Sequence, residues 1–423
     1  MLDIQYIRDN AEAVRQATKN KGFDVTIIDE FLIIDKQRRE LIGRVDTLRS
    51  QRNKLNEELK TARTNELINK SKNLKSQVEE NEATLKEFED KFQELLNKIP
   101  NPAATDVLVG GEEDNQVIKT VGEKPRFSFP VRDHLELGQL TDTIDIERGA
   151  KVAGSGFYYL KGKGALLELA LINFAMSELV KDGFTPVITP NLAKEKNIVG
   201  CGFQARSDKE SQTYHVEGED LDLIATAEIT LVGLHEGETF TEKNLPKQYV
   251  GWSSCYRRER GSYGKDVRGI LRVHEFRKVE MVVFVKPEES DAWHDKLLSI
   301  EEKLWQKLGI PYQVIKQATG DLGSAASRKF DIEAWMPSQD KYREVTSTSN
   351  TTDFQARALG IKLNRGGKTE YLHTLNGTVF ALGRAMIAIY ENYQNEDGSI
   401  TIPDALRPFI GFERIEVIKN WSN

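Results

Sequence analysis

The stretch Cys255–Val283, CYRRERGSYGKDVRGILRVHEFRKVEMVV, decides which fold this 423-residue chain adopts. The apolar and aromatic residues GWSSCY, which run into it, predict one strand. A second strand is predicted from Lys278 to Lys286, where apolar residues alternate with Glu280. The long loop between the strands is rich in arginine and glycine, which can bring guanidinium groups and bare backbone close to a polyphosphate. A solvated, charged hairpin is an equally good interpretation of this loop alone.

Length and composition predict a cytoplasmic protein of two or three domains. Charged residues make up 30% of the chain and hydrophobic residues 39%, which is an ordinary globular composition. The net charge of −7 argues against nucleic acid coating the whole surface, but it allows a local basic face. The two cysteines, Cys201 and Cys255, form neither a metal-ligand spacing nor a disulfide framework. The N-terminus lacks a signal-peptide pattern and no run is long enough to span a bilayer, so we expect no membrane as a partner. We also expect no DNA as a partner.

Residues 1–100 predict a long helical arm. A short helix is expected over residues 3–20, with Asp3 as its N-cap. Core positions then recur at alternating spacings of four and three, which is the heptad pattern of a coiled coil. A polar turn at 63–73 separates two such runs, so they should fold back as an antiparallel hairpin. The expected seam residues are Ile27, Phe31, Ile34, Arg38, Leu41, Val45, Leu48, Arg52, Leu55, Leu59 and Ala62, and then Leu74, Val78, Asn81, Leu85, Phe88, Phe92, Leu95 and Ile99.

Charge is unevenly divided between the two helices of this arm. Between Lys36 and Lys54, seven basic residues outnumber two acidic ones, whereas the returning helix is net acidic. Most charge runs are solvated flanks, but a basic stripe on the arm of an acidic protein can also follow an RNA backbone. The candidate RNA-binding residues are Arg38, Arg39, Arg44, Arg49, Arg52 and Lys54.

A segment rich in proline and glycine, 101–132, predicts a linker to a second domain at 133–423. Strands and helices then mix without a regular βαβ alternation, which predicts an α+β fold with an antiparallel sheet flanked by helices. An apolar helix is expected from Gly377 to Tyr393. The usual phosphate-binding fingerprints are absent, so a nucleotide would have to be held by arginines and a metal.

These features together resemble the bacterial-type seryl-tRNA synthetases, which are class II aminoacyl-tRNA synthetases. The three class II motifs have counterparts in GFTPVITP ending at Pro190, in the Cys255–Val283 stretch, and in FALGRAMIAIYENY with Arg384. The TAE triplet at 226–228 and the REVTSTSN segment around Glu344 are also similar to the family pattern. The resemblance runs from end to end. It implies a coiled-coil tRNA-binding arm, a class II catalytic domain and a homodimer.

The resemblance implies a serine–tRNA ligase. Such an enzyme activates L-serine with ATP to seryl-adenylate and pyrophosphate, and then transfers serine to the 3′ end of tRNA(Ser), with tRNA(Sec) left open as a second acceptor. Arg257 and Arg384 are the implied catalytic residues, and Mg²⁺ is the implied cofactor, with Glu344 and Ser347 as its ligands. The implied ATP-binding residues are Arg257, Arg258, Glu259, Phe276, Glu344, Val345, Thr346, Ser347 and Arg384. The implied serine-binding residues are Thr226, Ala227, Glu228, Glu280 and Thr378.

The loop of the second motif departs from the family pattern at Arg258, Arg260, Tyr263 and Lys265. Because this loop contacts the tRNA end in the class, the departures concern its fine contacts and leave the reaction type intact. One alternative is a catalytically inactive relative that binds RNA through its coiled coil. The intact set of Arg257, Glu280, Glu344 and Arg384 argues against it. A second alternative is the same fold activating a different amino acid.

Overall fold

The structure is a computed structural model that describes residues 1–203, 213–259 and 268–418. The chain forms two compact units, Met1–Pro100 and Asn101–Asn423. Three of the loop residues named above, Arg260, Tyr263 and Lys265, lie outside the described residues. Among the residues described, no helix is both long and apolar enough to cross a membrane.

The first unit consists of helices. Asp3 caps the first of them, since its Oδ1 accepts a hydrogen bond from the backbone N–H of Tyr6 at 2.8 Å. The expected single helix over 3–20 is wrong in one respect, because the chain breaks it at Asn10 into two. The helices are α1 (Ile4–Asp9), α2 (Ala11–Asn20), α3 (Thr26–Thr61) and α4 (Asn65–Lys98).

The two long helices confirm the predicted antiparallel hairpin. Phe31 near the start of α3 packs on Phe92 near the end of α4, with ring centroids 5.0 Å apart. The turn is much shorter than the predicted 63–73, because Thr64 caps α4 by accepting a hydrogen bond from Leu67 N. Ile28 is buried at the start of the seam, where Ile27 was expected, and Ala62 is exposed. The other expected seam residues are buried or half-buried.

The second unit is an α+β fold, as predicted. Its strands are β1 (Gln116–Val121), β2 (Ile144–Asp145), β3 (Tyr159–Leu160), β4 (Thr185–Ile188), β5 (Leu192–Ala193), β6 (Tyr214–His215), β7 (Asp222–Leu223), β8 (Thr239–Thr241), β9 (Lys247–Tyr256), β10 (Glu275–Val285), β11 (Tyr312–Lys316), β12 (Arg328–Met336), β13 (Lys341–Asn350), β14 (Lys362–Arg365), β15 (Lys368–Tyr371), β16 (His373–Ala381), β17 (Ile400–Thr401) and β18 (Arg414–Ile415). Its helices are α5 (His134–Leu140), α6 (Ile146–Ala153), α7 (Gly162–Lys181), α8 (Glu195–Gly200), α9 (Ala227–Gly233), α10 (Ser290–Lys307), α11 (Phe354–Leu359), α12 (Leu382–Asn392) and α13 (Arg407–Ile410).

The main sheet has eight strands in the order β1-β11-β12-β13-β16-β10-β9-β4. Its neighbouring strands are antiparallel, apart from the parallel pair β4 and β9. Residues Gln116–Val121, within the segment expected to be a linker, form the edge strand β1, so part of this segment belongs to the sheet.

The expected helix from Gly377 to Tyr393 is wrong in its first part. Residues up to Ala381 complete strand β16, and helix α12 begins only at Leu382. Residues 377–381 and the helix that follows are mostly apolar and almost fully buried, so the sequence carries no clear periodicity to separate the end of a central strand from a buried helix. Long-range pairing with β10 on one side and β13 on the other holds these residues extended.

Strand β10 is the predicted second strand of the opening stretch, and it lies at the centre of the unit. Its residues from Lys278 to Val285 are all buried. Met281 and Val283 belong to a large core cluster that includes residues of α7, α10 and α12. Val282 and Phe284 point to the opposite face, into a second cluster that includes residues of α9 and α11. Glu280 is therefore a charged residue on a strand that is covered on both faces.

Candidate active site

Two adjoining clefts lie over the centre of the main sheet. The first, of about 630 Å³, contains Arg257, Phe276, Glu344 and Arg384 in its wall. The second, of about 680 Å³, contains Thr226 and the carboxylates of Glu228 and Glu280. The residues common to both walls are Arg257, Lys278, Ser347 and Thr378.

Strands β9 and β10 position the first group of side chains. The backbone N–H of Arg257, just after β9, donates to His274 O at 2.9 Å, which extends the hairpin beyond its two strands. The Arg257 guanidinium lies 5.2 Å from the ring centroid of Phe276, on the neighbouring strand. Glu259 has a φ of +47° and forms an ion pair with Arg272 at 2.9 Å. The ring of Phe276 and the ion pair between Glu259 and Arg272 therefore border the first cleft.

A bulge in β13 brings Glu344 and Ser347 to one cleft. In a regular strand, residues three apart point to opposite faces. Here the register with β12 shifts, so that Thr346 pairs with Ile332 and Glu344 with Glu333, which leaves Val345 as the extra residue. Glu344 and Ser347 both line the first cleft as a result. The sequence alone could not show this.

Arg384, in the first turn of α12, is held by Glu344. Its Nη1 donates to the backbone O of Glu344 at 2.9 Å and lies 3.2 Å from the Glu344 carboxylate. Desolvation opposes ionisation of Glu344, but Arg384 and then Lys329 outweigh it and lower the pKa of this carboxyl well below its usual range. Glu344 is therefore an anion throughout the physiological pH range.

Three polar side chains contact one another in the second cleft, and two of them, Lys278 and Thr378, also line the first. Glu280 and Thr378 face each other across β10 and β16, and the Thr378 hydroxyl donates to Glu280 Oε2 at 3.0 Å. The ammonium of Lys278 lies 2.6 Å from the same oxygen and donates to Thr378 Oγ1 at 3.1 Å. All three residues are buried. A buried hydroxyl and carboxylate of this kind can recognise a second small hydroxyl.

Glu228 is the other carboxylate of the second cleft. It follows Thr226, which caps helix α9 and accepts a hydrogen bond from Glu228 N at 3.2 Å. Glu228 Oε1 accepts from the side-chain amides of Gln355, at 2.7 Å, and Asn376, at 2.8 Å. Burial, together with the nearby charge of Glu280, raises the pKa of Glu228 to about 7. Its partners orient the carboxylate without neutralising it, so an ammonium group fits here.

Most of the expected ATP- and serine-binding residues meet at these two clefts. The exceptions are Ala227, whose side chain is buried in the second core cluster, and Arg258, whose guanidinium lies 5.6 Å from the ring centroid of Tyr214. Sequence reasoning missed the partners of the site carboxylates: Lys278, Gln355, Asn376 and Arg272. Of these partners, only Lys278 could have been found from the sequence, because a residue two positions before Glu280 lies on the same face of the strand.

In the arm, the six candidate RNA-binding residues differ in their surroundings. Arg38 is partly buried in the seam, with its guanidinium 4.3 Å from the centroid of Phe92, and both Arg38 and Arg39 pair with buried Asp35. Arg49 bridges to Glu82 on the other helix at 2.7 Å. Arg52 is half-buried. Arg44 and Lys54 are exposed and form no ion pair with any described residue.

Two family models match the chain. Residues 1–103 match the seryl-tRNA synthetase N-terminal domain, and residues 212–393 match the tRNA synthetase class II core domain (G, H, P, S and T). The serine–tRNA ligase of Dictyoglomus thermophilum is 47% identical, over 98% of this chain and 99% of the relative.

Two solved structures resemble the whole chain. The seryl-tRNA synthetase from Pyrococcus horikoshii, complexed with ATP, has a TM-score of 0.88 and 40% identity, over 99% of this chain and 100% of that chain. The cytoplasmic serine–tRNA ligase of Naegleria fowleri, in complex with AMP, has a TM-score of 0.82 and 33% identity, over 99% of both chains.

The antiparallel sheet, the arginine-bordered clefts and the matching core model define a class II aminoacyl-tRNA synthetase. Within that class, the chain belongs to the seryl-tRNA synthetase family, the serine–tRNA ligases.

Proposed function

We propose that this chain activates L-serine with ATP to form seryl-adenylate and pyrophosphate, and then transfers serine to the 3′ end of tRNA(Ser). The observation that carries the proposal is the position of Arg257 in the wall of both clefts. Adenylate formation joins a carboxylate to a phosphate, two anions that repel each other. A fixed guanidinium between a nucleotide cleft and an amino-acid cleft can hold both.

The first cleft is proposed to bind ATP. Arg257 contacts the α-phosphate and the serine carboxylate, and Arg384 contacts the γ-phosphate and the leaving pyrophosphate. Phe276 stacks on adenine, while Glu259 helps to recognise the base. Val345, Thr346 and Ser347 border the phosphates along β13. Arg258, the next residue in the chain after Arg257, is also proposed to bind ATP.

Mg²⁺ is the proposed cofactor, and the residues of the first cleft fit it. Glu344 and Ser347 offer hard oxygen donors from one face of β13, and Glu344 is ionised. Within the described part of the chain, no group of three or more His, Cys, Asp or Glu residues could hold a metal by itself. When bound, Mg²⁺ supplies neutralisation of phosphate charge.

The second cleft is proposed to bind serine. Glu228 and Thr226 hold the ammonium group, Arg257 holds the carboxylate, and Glu280 with Thr378 recognises the hydroxyl. Ala227, which lies between Thr226 and Glu228 in the chain, packs in the second core cluster and so holds the start of α9 in place. Alanine, which lacks the hydroxyl, cannot donate a hydrogen bond to the buried carboxylate of Glu280 and is rejected.

The helical hairpin is proposed to be the tRNA-binding arm, with 1–100 as the arm, 133–423 as the catalytic domain and 101–132 as a connection that also contributes strand β1 to the sheet. The match of residues 1–103 to the family's N-terminal domain supports this division. The basic residues of α3 would bind the phosphate backbone, with tRNA(Sec) as a candidate second acceptor. Arg44 and Lys54 are the most available of them, because they are exposed and unpaired among the described residues.

A homodimer in the cytoplasm is the proposed state of the protein. Several large apolar side chains are exposed on α7 and on the edge strand β4, which is the first class II motif, and exposed apolar surface of this kind is typical of interfaces. These side chains are Leu166, Leu169, Val180 and Ile188. Sedimentation velocity of the wild type and an Ile188→Asp variant would test the dimer, since the variant is expected to be a monomer.

Serine-dependent exchange of pyrophosphate into ATP tests the proposed activity. The purified protein is expected to exchange with L-serine and much less with threonine, alanine or glycine. Absence of exchange would refute the ligase and favour the inactive RNA-binding relative, and faster exchange with another amino acid would identify the substrate instead.

A further inference from the structure

The second cleft holds two buried carboxylates with different partners, although serine carries only one ammonium group. Glu228 is 7% exposed and Glu280 is 1% exposed. Burial strengthens electrostatic attraction, so either carboxylate could attract the ammonium. A cleft that orients serine must therefore make the two carboxylates different.

Lys278 is what makes them different. Its Nζ lies 2.6 Å from Glu280 Oε2, and the lysine is itself only 7% exposed. The hydrogen-bond partners of the Glu228 carboxylate are the neutral amides of Gln355 and Asn376, and no lysine or arginine of the described residues lies within ion-pair distance of it. Glu280 thus has a cation in direct contact, whereas the charges of Lys278 and Arg257 act on Glu228 only from beyond ion-pair distance.

Lys278 also fixes the direction of the hydrogen bond in this group. An ammonium can only donate, so its 3.1 Å contact makes Thr378 Oγ1 an acceptor from Lys278. The single proton of the Thr378 hydroxyl then points to Glu280 Oε2, at 3.0 Å. Oε2 is occupied by these two donors, and Oε1 is the oxygen left to accept a substrate hydroxyl.

We propose that Lys278 is a specificity-determining positioning residue. It neutralises Glu280, so that this carboxylate accepts the serine hydroxyl and Glu228 alone takes the ammonium. This inference rests on the proposed activation of serine. It predicts that the charge balance of the Lys278–Glu280 pair, more than the presence of lysine as such, controls discrimination between serine and alanine.

The test compares Lys278→Met with the double variant Lys278→Met/Glu280→Gln in pyrophosphate exchange, with serine and with alanine. In the single variant, Glu280 loses its cation inside a buried site. We expect kcat/KM for serine to fall about 100-fold and the serine-to-alanine ratio of kcat/KM to fall at least about 10-fold. In the double variant the site is neutral again, and the introduced amide oxygen still offers an acceptor. Its kcat/KM for serine should therefore be at least about 10-fold higher than that of the single variant.

A matched control is Lys286→Met on the segment after β10, where Lys286 pairs with Glu289 at 2.8 Å away from both clefts. It should exchange like the wild type. A merely structural role of Lys278 would make the double variant as poor as the single one, with the serine-to-alanine ratio unchanged, and this result would overturn the inference. Wild-type exchange with serine is measured first. Its absence would refute the proposed function itself, whereas wild-type exchange with an unchanged ratio in Lys278→Met would refute only the role of Lys278.

Discussion

The hydroxyl of Thr378 donates to the carboxylate of Glu280 at 3.0 Å, from one central strand to its antiparallel neighbour. The pair sits beside a register shift between β10 and β16, where Val379 is an extra residue on β16. Bulges of this kind re-aim side chains next to active sites. Both central bulges of the sheet, this one and the one at Val345, border the proposed clefts.

Replacing Thr378 by valine should weaken serine recognition. The change removes one donor to a buried carboxylate and the acceptor for Lys278 while it keeps the side-chain shape. We expect kcat/KM for serine in pyrophosphate exchange to fall by about 10- to 100-fold, with the KM for ATP nearly unchanged. Thr378→Ser keeps the hydroxyl and should stay within about 3-fold of the wild type. Equal losses in both variants would contradict the role of the hydroxyl.

The raised pKa of Glu228, about 7, should appear in the pH dependence of serine activation. Because the ionised carboxylate binds the ammonium, kcat/KM for serine should rise with pH through about 7 and then level off. Glu228→Gln keeps the acceptor for both amides and removes the charge. Its residual exchange should be low and flat over the same pH range. A rise through pH 7 that persists in this variant would assign the titration to another group.

Glu228 also affects stability, with a definite sign. The pKa of Glu228 is higher in the folded state, about 7, than in the unfolded state. Its contribution to stability is therefore fully present below the unfolded-state pKa and is lost as pH rises through the folded-state pKa. The Glu228→Gln variant should therefore unfold at a higher temperature than the wild type at pH 8, and the difference should shrink toward pH 5. Calorimetric melting curves at the two pH values measure this directly.

Removing the charge of Glu344 should raise the Mg²⁺ requirement. Glu344→Gln keeps the size of the side chain and weakens both the ion pair with Arg384 and the proposed metal contact. We expect the Mg²⁺ concentration for half-maximal exchange to rise several-fold, while the KM for serine changes little. Glu333→Gln, across the bulge on β12, is the control and should not shift the Mg²⁺ titration. An unchanged titration in Glu344→Gln would exclude Glu344 as a ligand.

Reversing the exposed charges of the arm should separate tRNA charging from activation. In the double variant Arg44→Glu/Lys54→Glu, phosphate contacts are lost and like charges are introduced. Aminoacylation of tRNA(Ser) should fall at least about 10-fold, with serine-dependent exchange unaffected. The plot of log tRNA affinity against log salt concentration should become less steep by the equivalent of about two phosphate contacts. The matched double variant Lys72→Glu/Lys86→Glu changes the returning helix by the same charge. Equal effects of the two would indicate that only the net charge of the arm matters.

Gly377 is packed too closely to accept a side chain. A Cβ at this position would lie 2.8 Å from Glu301 Oε1 and 3.0 Å from Met281 Cε, both of which are buried. Gly377→Ala should therefore lower the free energy of unfolding by about 1–3 kcal/mol. Gly43→Ala, on an exposed position of α3 with nothing within 4 Å of the new Cβ, should instead raise it by about 0.5–1 kcal/mol. Urea unfolding curves of both variants provide the comparison.

Local patterns in the sequence were enough to predict the elements whose periodicity is simple. The heptads of α3 and α4 specify a hairpin because one seam of apolar residues has only one partner to bury against. Glu280 was predicted as a site residue from the family resemblance, and its place as a carboxylate within an apolar strand is costly without a partner. The motifs around Arg257, Thr226, Glu344 and Arg384 carried the family resemblance in the same local way.

Tertiary structure alone decided the features that depend on pairing between distant strands. Strand β16 is extended up to Ala381 because β10 and β13 lie on either side of it, although residues 377–381 run into the helix that follows as one mostly apolar segment. The bulge at Val345 places Glu344 beside Ser347, and register across β10 and β16 places Thr378 against Glu280. The sequence specifies which chemical groups this protein has at its site. Because side-chain direction in a sheet depends on register with neighbouring strands, only the folded sheet determined which of those groups meet.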